Sequence, residues 1–421
     1  MLFAAVFAAI TLSTFVASPA LADEVGTDEY DFIFSGNVKF EDKPLADVRI
    51  TVEGGGYDAE VVTGEDGRWR VGVPDKDETY TITLDEETLP KGVIVAEGSA
   101  TKEAEFGLTN NATVNFFLGE GVRQVTPFSE QLAGRIMNGL NFGLMLALAS
   151  IGLSLIFGTT GISNFAHAEM VTFGALMALT FGVHLAFPMW IAIPIAVILA
   201  GLFGLAQDIG LWKPMRKRGL SVVQLMIISI GLSLGLRYVY LFFYGGGVFQ
   251  LPNPGSTKIQ LLGPIKLSIT DMISMGVSLA VLIGVAYWLI NTRTGKATRA
   301  ISDNASLAAA SGINVDRVVR IIWILGSALA GLSGVLWAYF RPGIRWDMGW
   351  QILLLIFAAV VLGGLGTAFG ALLGSIIVGL MVEVSTLWLP SDIKYVSALT
   401  VLIVVLLFRP QGILGRRERI G

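Results

Sequence analysis

The chain has 421 residues, of which 53% are hydrophobic and 15% charged, with 50 glycines and no cysteine. A soluble domain carries charge on about a quarter of its residues, so this is the composition of a membrane protein. The lack of cysteine excludes disulfides, thiol catalysis and thiolate metal sites. The net charge of -4 averages two unlike parts: residues 23–130 hold 24 acidic and 9 basic side chains, residues 131–421 hold 9 acidic and 20 basic.

Residues 1–22 form an apolar run ending in Ala20-Leu21-Ala22, with Asp23-Glu24 next. This reads as a signal peptide, although no Lys or Arg precedes the run, and an uncleaved first helix is the alternative. Both readings export the acidic segment that follows.

Residues 30–118 alternate as strands do: DFIFSGNVKF, DVRITVEG, AEVVTG, RWRVGVP, TYTITL and TVNFFLG. Glycine-rich and Pro-Asp turns separate them. Short strands at about 8–12-residue spacing predict a small all-β sandwich over 23–120. With Thr63, Gly67 and Trp69 in a Thr-x-x-x-Gly-x-aromatic pattern, it resembles the carboxypeptidase-regulatory-like domains of exported proteins. No catalytic constellation is visible in it, and its acidic surface reads as a solvated face.

Residues 121–134 read as a linker. Hydrophobic runs follow at about 135–157, 168–187, 189–210, 221–243, 270–290, 318–339, 350–365, 369–389 and 395–408. A spanning helix needs about 20 apolar residues, so 135–421 reads as a polytopic helical membrane domain of eight or nine spans. The seventh run is short, and Gly363-Gly364-Leu365-Gly366 marks it as re-entrant or broken. Irregular backbone at membrane depth survives only inside protein or beside water, which makes Gly363, Gly364 and Gly366 candidates for a translocation path. Lys and Arg cluster in 213–219, 291–299 and 416–419, which places these loops and the C-terminus in the cytoplasm. Arg341 and Arg345 are exceptions.

The chain lacks a phosphate-binding P-loop, because Gly295-Lys296 is followed by Ala297. His167 and His184 are its only histidines, too few for the usual metal spacings. No Gly-x-Ser-x-Gly elbow has Asp and His partners. An enzyme is not expected, nor any cofactor, metal or nucleic acid.

Two stretches carry function. Asn164, Phe165, His167 and Glu169 sit among apolar residues at the start of the second span. Intramembrane ionisable groups usually face a bundle interior or water. Asn164 and His167 are neighbours at i,i+3 if this turn is helical. Alternatively Asn164 caps the second helix and His167 is a satisfied interior donor. Both lining of the path and structural gating stay open. Glu383, in the eighth span, is a second buried carboxylate, with Lys394 as a possible partner. Arg237 reads as snorkelling outward.

The second stretch, 292–318, holds a short small-residue helix after Asn304, ended by Gly312-Ile313, where glycine supplies a left-handed cap. Such a helix on the cytoplasmic face can dock into a partner's groove, and it can equally be the one long basic loop of any polytopic protein.

Four stretches in order, 138–175, 292–318, 361–383 and 408–415, resemble the permease subunits of branched-chain amino-acid ABC importers, over nearly all of 131–421. That family usually has glycine where Ala168 stands, and usually lacks an exported β-domain. The resemblance implies a permease in the bacterial inner membrane with its N-terminal domain outside. It implies two cytoplasmic ATPase subunits, a second related permease and an extracytoplasmic substrate-binding protein as partners. It also implies that Asp303, Ala305, Ala308, Ala309, Gly312 and Ile313 form the ATPase-coupling segment. Branched-chain amino acids are the expected substrates; urea, short amides or other small polar solutes within the same family are the alternative, and an ion-coupled secondary transporter a more distant one.

Overall fold

The computed structural model describes residues 24–40, 43–95, 100–106, 109–120, 127–252, 259–262, 265–341, 343–390, 393–409 and 411–415. The expected signal peptide, residues 1–22, and the basic cluster at 416–419 lie outside them. The chain divides into two compact units, Met1–Val125 and Thr126–Gly421.

The first unit is all-β. Strands β1 (Phe32–Phe40) and β4 (Arg68–Val73) pair antiparallel at the centre of one sheet. The other sheet orders β3 (Tyr57–Val62), β2 (Arg49–Gly54), β5 (Tyr80–Leu84) and β6 (Thr101–Ala104). Alternate residues of both sheets, among them Phe34, Val38, Ile50, Val52, Trp69 and Ile82, are buried in one core. The period-2 pattern puts them on inner faces. Gly67 adopts a left-handed φ of 71°, where a Cβ would meet the Val38 carbonyl at 2.6 Å. Thr63 closes the same corner, its hydroxyl donating to Leu45 O at 2.7 Å.

The second unit is helical. Helix α1 (Phe128–Thr160) has 33 residues, about 50 Å of helix. It starts seven residues before the expected 135, so part of the segment read as linker is helical; its polar first turns hide it from a hydropathy reading. Then come α2 (His167–Leu179), continued by a π-turn to His184, and α3 (Met189–Gln207), which runs on through Lys217. Helices α4 (Val222–Tyr244) and α5 (Ile269–Asn291) follow, each opening with a serine capping box. Two short helices, α6 (Arg293–Asp303) and α7 (Ala305–Ala310), lead into α8 (Val315–Phe340). The chain continues through α9 (Met348–Gly363), α10 (Ala368–Val384) and α11 (Lys394–Phe408). Among the described residues, six helices are long and apolar enough to cross a membrane. They and three shorter ones occupy the nine expected segments.

Helix α8 is central and packs on α1, α2 and α3, while α1 packs along α10. Without a hydrophobic driving force inside lipid, close backbone approach at small residues holds such helices together. Gly152 meets Gly326 at the α1–α8 crossing, and Gly139 and Gly143 meet Gly379 at the α1–α10 crossing.

The expected break in the seventh span proves to be a tight turn between α9 and α10 rather than an interruption within one helix. Gly364 and Gly366 take φ of 114° and 77°, open to glycine and strained for other residues. The turn's carbonyls are satisfied by the chain's last described residues: Ile413 N–H donates to Leu362 O at 2.8 Å and Leu414 N–H to Gly363 O at 2.9 Å.

Candidate functional site

The opening of α2 sits about two-thirds of the way along α1. His167 Nε2 donates to the carbonyl of Ala149 at 2.9 Å, eleven residues before the end of α1, or about 16 Å of helix. Residues 161–166 therefore run back along α1 as non-helical chain inside the bundle. Backbone of this kind must find its hydrogen bonds within the protein. The Asn164 side chain accepts from Ala166 N–H at 3.1 Å, and Ser229 of α4 accepts from Phe165 N–H at 3.0 Å, its own proton shared between Met226 O at 2.7 Å and Ser163 O at 3.3 Å. The Phe165 ring stacks on Phe357 of α9 at 4.9 Å. Asn164 is thus not on a helix with His167; it turns the chain just ahead of α2.

Glu169 is wholly buried, and a lone carboxylate there would be untenable. Its partner is Arg237 of α4, whose Nε lies 3.4 Å from Glu169 Oε1. Ser233 donates to the same oxygen at 2.8 Å, Arg237 Nη2 donates to Ser233 Oγ at 3.2 Å, and Tyr240 OH donates to the Glu169 carbonyl at 3.0 Å. The guanidinium also lies 4.2 Å from the ring centre of Trp350 on α9, a cation–π contact. Arg237 therefore points inward, and the snorkelling expectation is corrected. It stands seven residues from the end of α4, about 10 Å, with its head group held by Glu169 and Ser233. The sequence held a signal for this: Ser229, Ser233 and Arg237 recur every four residues on an otherwise apolar helix.

The other candidates lie elsewhere. Glu383 is buried at the opposite end of α10 from the glycine turn, with Arg135 of α1 at 3.9 Å; the side chain of Lys394 is outside the described residues. Gly363, Gly364 and Gly366 sit at the far end of α1, where a Cβ on Gly158 would meet Ser302 Oγ at 2.8 Å and Gly366 O at 3.0 Å. The residues named for a path thus fall into three groups along the bundle, and only Asn164, Phe165, His167 and Glu169 form one cluster.

The coupling candidates also form one local structure. Asn304 caps α7, its side chain accepting from Leu307 N–H at 2.9 Å. Gly312, at φ 85°, ends it, with Ile313 N–H donating to Ala308 O at 3.1 Å and Gly312 N–H to Ala309 O at 3.0 Å, the paired bonds of a glycine C-cap. Ala308 is buried; Ala305 and Ala309 are exposed, and Leu307 presents a 65% exposed side chain between them. Asp303 ends α6, and beside it a cleft of about 900 Å³ opens between the end of α1, α6 and the glycine turn.

A third buried acid carries no motif in the sequence. Asp208, on the π-turn of α3, pairs with Arg216 at 2.7 Å, and Lys213 reaches Asp316 of α8 at 2.9 Å. No group of three or more metal-ligating side chains occurs among the described residues. What the described residues offer here is the holding of buried charge in ion pairs.

A bundle of this kind, apolar outside with buried ion pairs inside, defines a polytopic helical membrane protein. Residues 135–407 match the family described as branched-chain amino acid transport system / permease component, and the chain belongs to that family. It is 30% identical over 298 residues to the high-affinity branched-chain amino acid transport system permease protein LivH of Salmonella typhimurium, covering 68% of this chain and 96% of that one. Over 284 residues it is 32% identical to the probable branched-chain amino acid transport permease protein LivH of Methanocaldococcus jannaschii, 64% of this chain and 89% of that one. BraD of Pseudomonas aeruginosa, a high-affinity branched-chain amino acid transport system permease protein, is 28% identical over 300 residues, with shares of 68% and 96%. No solved structure matches the chain.

Proposed function

We propose that the chain moves branched-chain amino acids inward through the cytoplasmic membrane, as one permease of an ATP-driven importer. The observation that carries this is the match of nearly the whole helical unit to permeases whose names specify that transport. In this reading two separate ATPase subunits dock on 303–313, a second related permease completes the pore, and an exported binding protein delivers the substrate. The basic loops 213–219 and 291–299 face the cytoplasm, and the β-unit lies outside. A capped helix with an exposed leucine between small residues suits a partner's groove, because alanines allow close approach. The turn at Gly363–Gly366 and the cleft beside α6 lie next to that segment, which supports this reading. Asn164, Phe165, His167, Glu169 and Glu383 act within the bundle, where a shift of helices changes which side the path opens to.

The test is ATP-dependent uptake by the assembled transporter in vesicles, with its binding protein present. Saturable uptake of leucine, isoleucine and valine, each competing with the others, is expected. Uptake of urea or short amides with no competition by these amino acids would overturn the substrate, and uptake without ATP the mechanism.

A further inference from the structure

Helix α4 is attached to the bundle differently from the other long helices. Its buried positions are Leu225, Ser229, Ser233, Arg237 and Tyr240, about one per turn, and four of the five are polar. All four polar ones reach a single segment, 163–169, through the hydrogen bonds and the ion pair described above. One turn further on, Tyr244 OH meets Thr180 Oγ1. The remaining faces are open, with Ile227, Leu234 and Phe242 exposed and nothing within 4 Å of a Cβ built on Gly231 or Gly235. Only 28% of its apolar window is buried, as in α3 and α5, against 78% for α8, so what distinguishes α4 is its row of polar contacts to one segment.

In a bilayer an apolar contact is cheaply released, because acyl chains replace one apolar neighbour with another. A polar stripe is not, because the freed groups meet no water. Attachment of α4 is therefore concentrated in its polar rungs, above all in the one charged pair. Such a contact is engaged or released, with little between. The receiving segment also holds spare capacity: Asn164 Nδ2, His167 Nδ1 and Glu169 Oε2 are buried without hydrogen-bond partners among the described residues, and such groups can take up new partners when the helix shifts.

We propose that α4 parts from α2 during each transport cycle and that the Glu169–Arg237 pair is the latch that holds it between cycles. Both are positioning residues, and the proposal rests on the transport reading above.

The chain has no cysteine, so Ser163→Cys with Ser229→Cys introduces its only thiol pair, at a place where Ser229 Oγ lies 3.3 Å from the Ser163 carbonyl. In the complete transporter in vesicles, a short reducible bis-thiol bridge between them should lower uptake at least tenfold, and reduction should restore it. Unchanged uptake by protein whose bridged peptides are seen by mass spectrometry would overturn the latch. A second measurement covers a double variant that is inactive when reduced, and also a failure of the transport reading, which loss of ATP-driven uptake by the unaltered protein would reveal. The maleimide alkylation rate of Ser229→Cys is compared with and without Arg237→Gln, in the absence of ATP. The latch predicts at least fivefold faster alkylation without Arg237; equal rates would overturn it.

Discussion

Alanine at position 379 should loosen the α1–α10 helix pair of the membrane unit. A Cβ there would lie 2.6 Å from Gly139 O and from both N and Cα of Gly143. These are backbone atoms in the middle of α1, so no side chain can rotate away. Ordinary contact begins near 3.4 Å, so α1 and α10 must separate by about 0.8 Å, and a gap of that size forfeits roughly a quarter to a half of the dispersion energy across it. Overpacking of this kind costs about 1–3 kcal/mol, which for a domain of this size is a fall of roughly 2–10 °C in midpoint. The assay is thermal challenge in detergent followed by size-exclusion detection, with Gly284→Ala as the comparison, because a Cβ at 284 meets nothing within 4 Å. Gly379→Ala and Gly284→Ala melting together would refute the close-packing account of the α1–α10 crossing.

Glu169→Gln and Arg237→Gln should each destabilise the helical unit by about 3–5 kcal/mol, since each strands a buried charge; the double variant should melt above the worse single one, and simple additivity in the same assay would refute the pairing. Asn304→Ala removes the cap of α7, worth about 1 kcal/mol to that helix; ATP-driven uptake should fall while the melting midpoint of the whole chain holds, and unchanged uptake would count against a coupling role. In the β-unit, burial pushes the Tyr80 hydroxyl above its ordinary value, and burial first, then the neighbouring Tyr30, does the same for Tyr57. Their raised folded values mean that the stability they give is complete below about pH 10, the unfolded value, and is lost as pH rises through the folded values. Protease sensitivity of residues 24–120 in the intact chain should therefore climb above pH 10, and a flat profile to pH 12 would contradict it.

Much of this architecture is legible in the sequence because its signals are local. Strand alternation, apolar length and the Asn304 and Gly312 caps each depend on residues within one element. What was not legible depends on depth and on partners. Hydropathy finds where spans lie but not that residues 161–166 run back along α1, because that path is set by the bond from His167 to Ala149. The break at Gly363–Gly366 reads as a feature inside a span because sequence does not show that Ile413 and Leu414 fold back to satisfy it. Arg237 was assigned outward because, in an apolar helix, the commoner fate of a lone arginine is to reach for water; its true partner is 68 residues away. The serine spacing on α4 was the available clue, and it matters only once Glu169 is known to lie opposite.

The central claim is that this chain works as the membrane half of an ATP-driven importer. Its most direct test is purification of the tagged chain from its native membrane under mild conditions, with mass spectrometry of what comes with it. The account predicts an ATPase pair and a second permease in fixed proportion, lost together when Ala308 is replaced by a bulky charged residue. Recovery of the chain alone, under conditions that keep other ATP-driven importers intact, would contradict it.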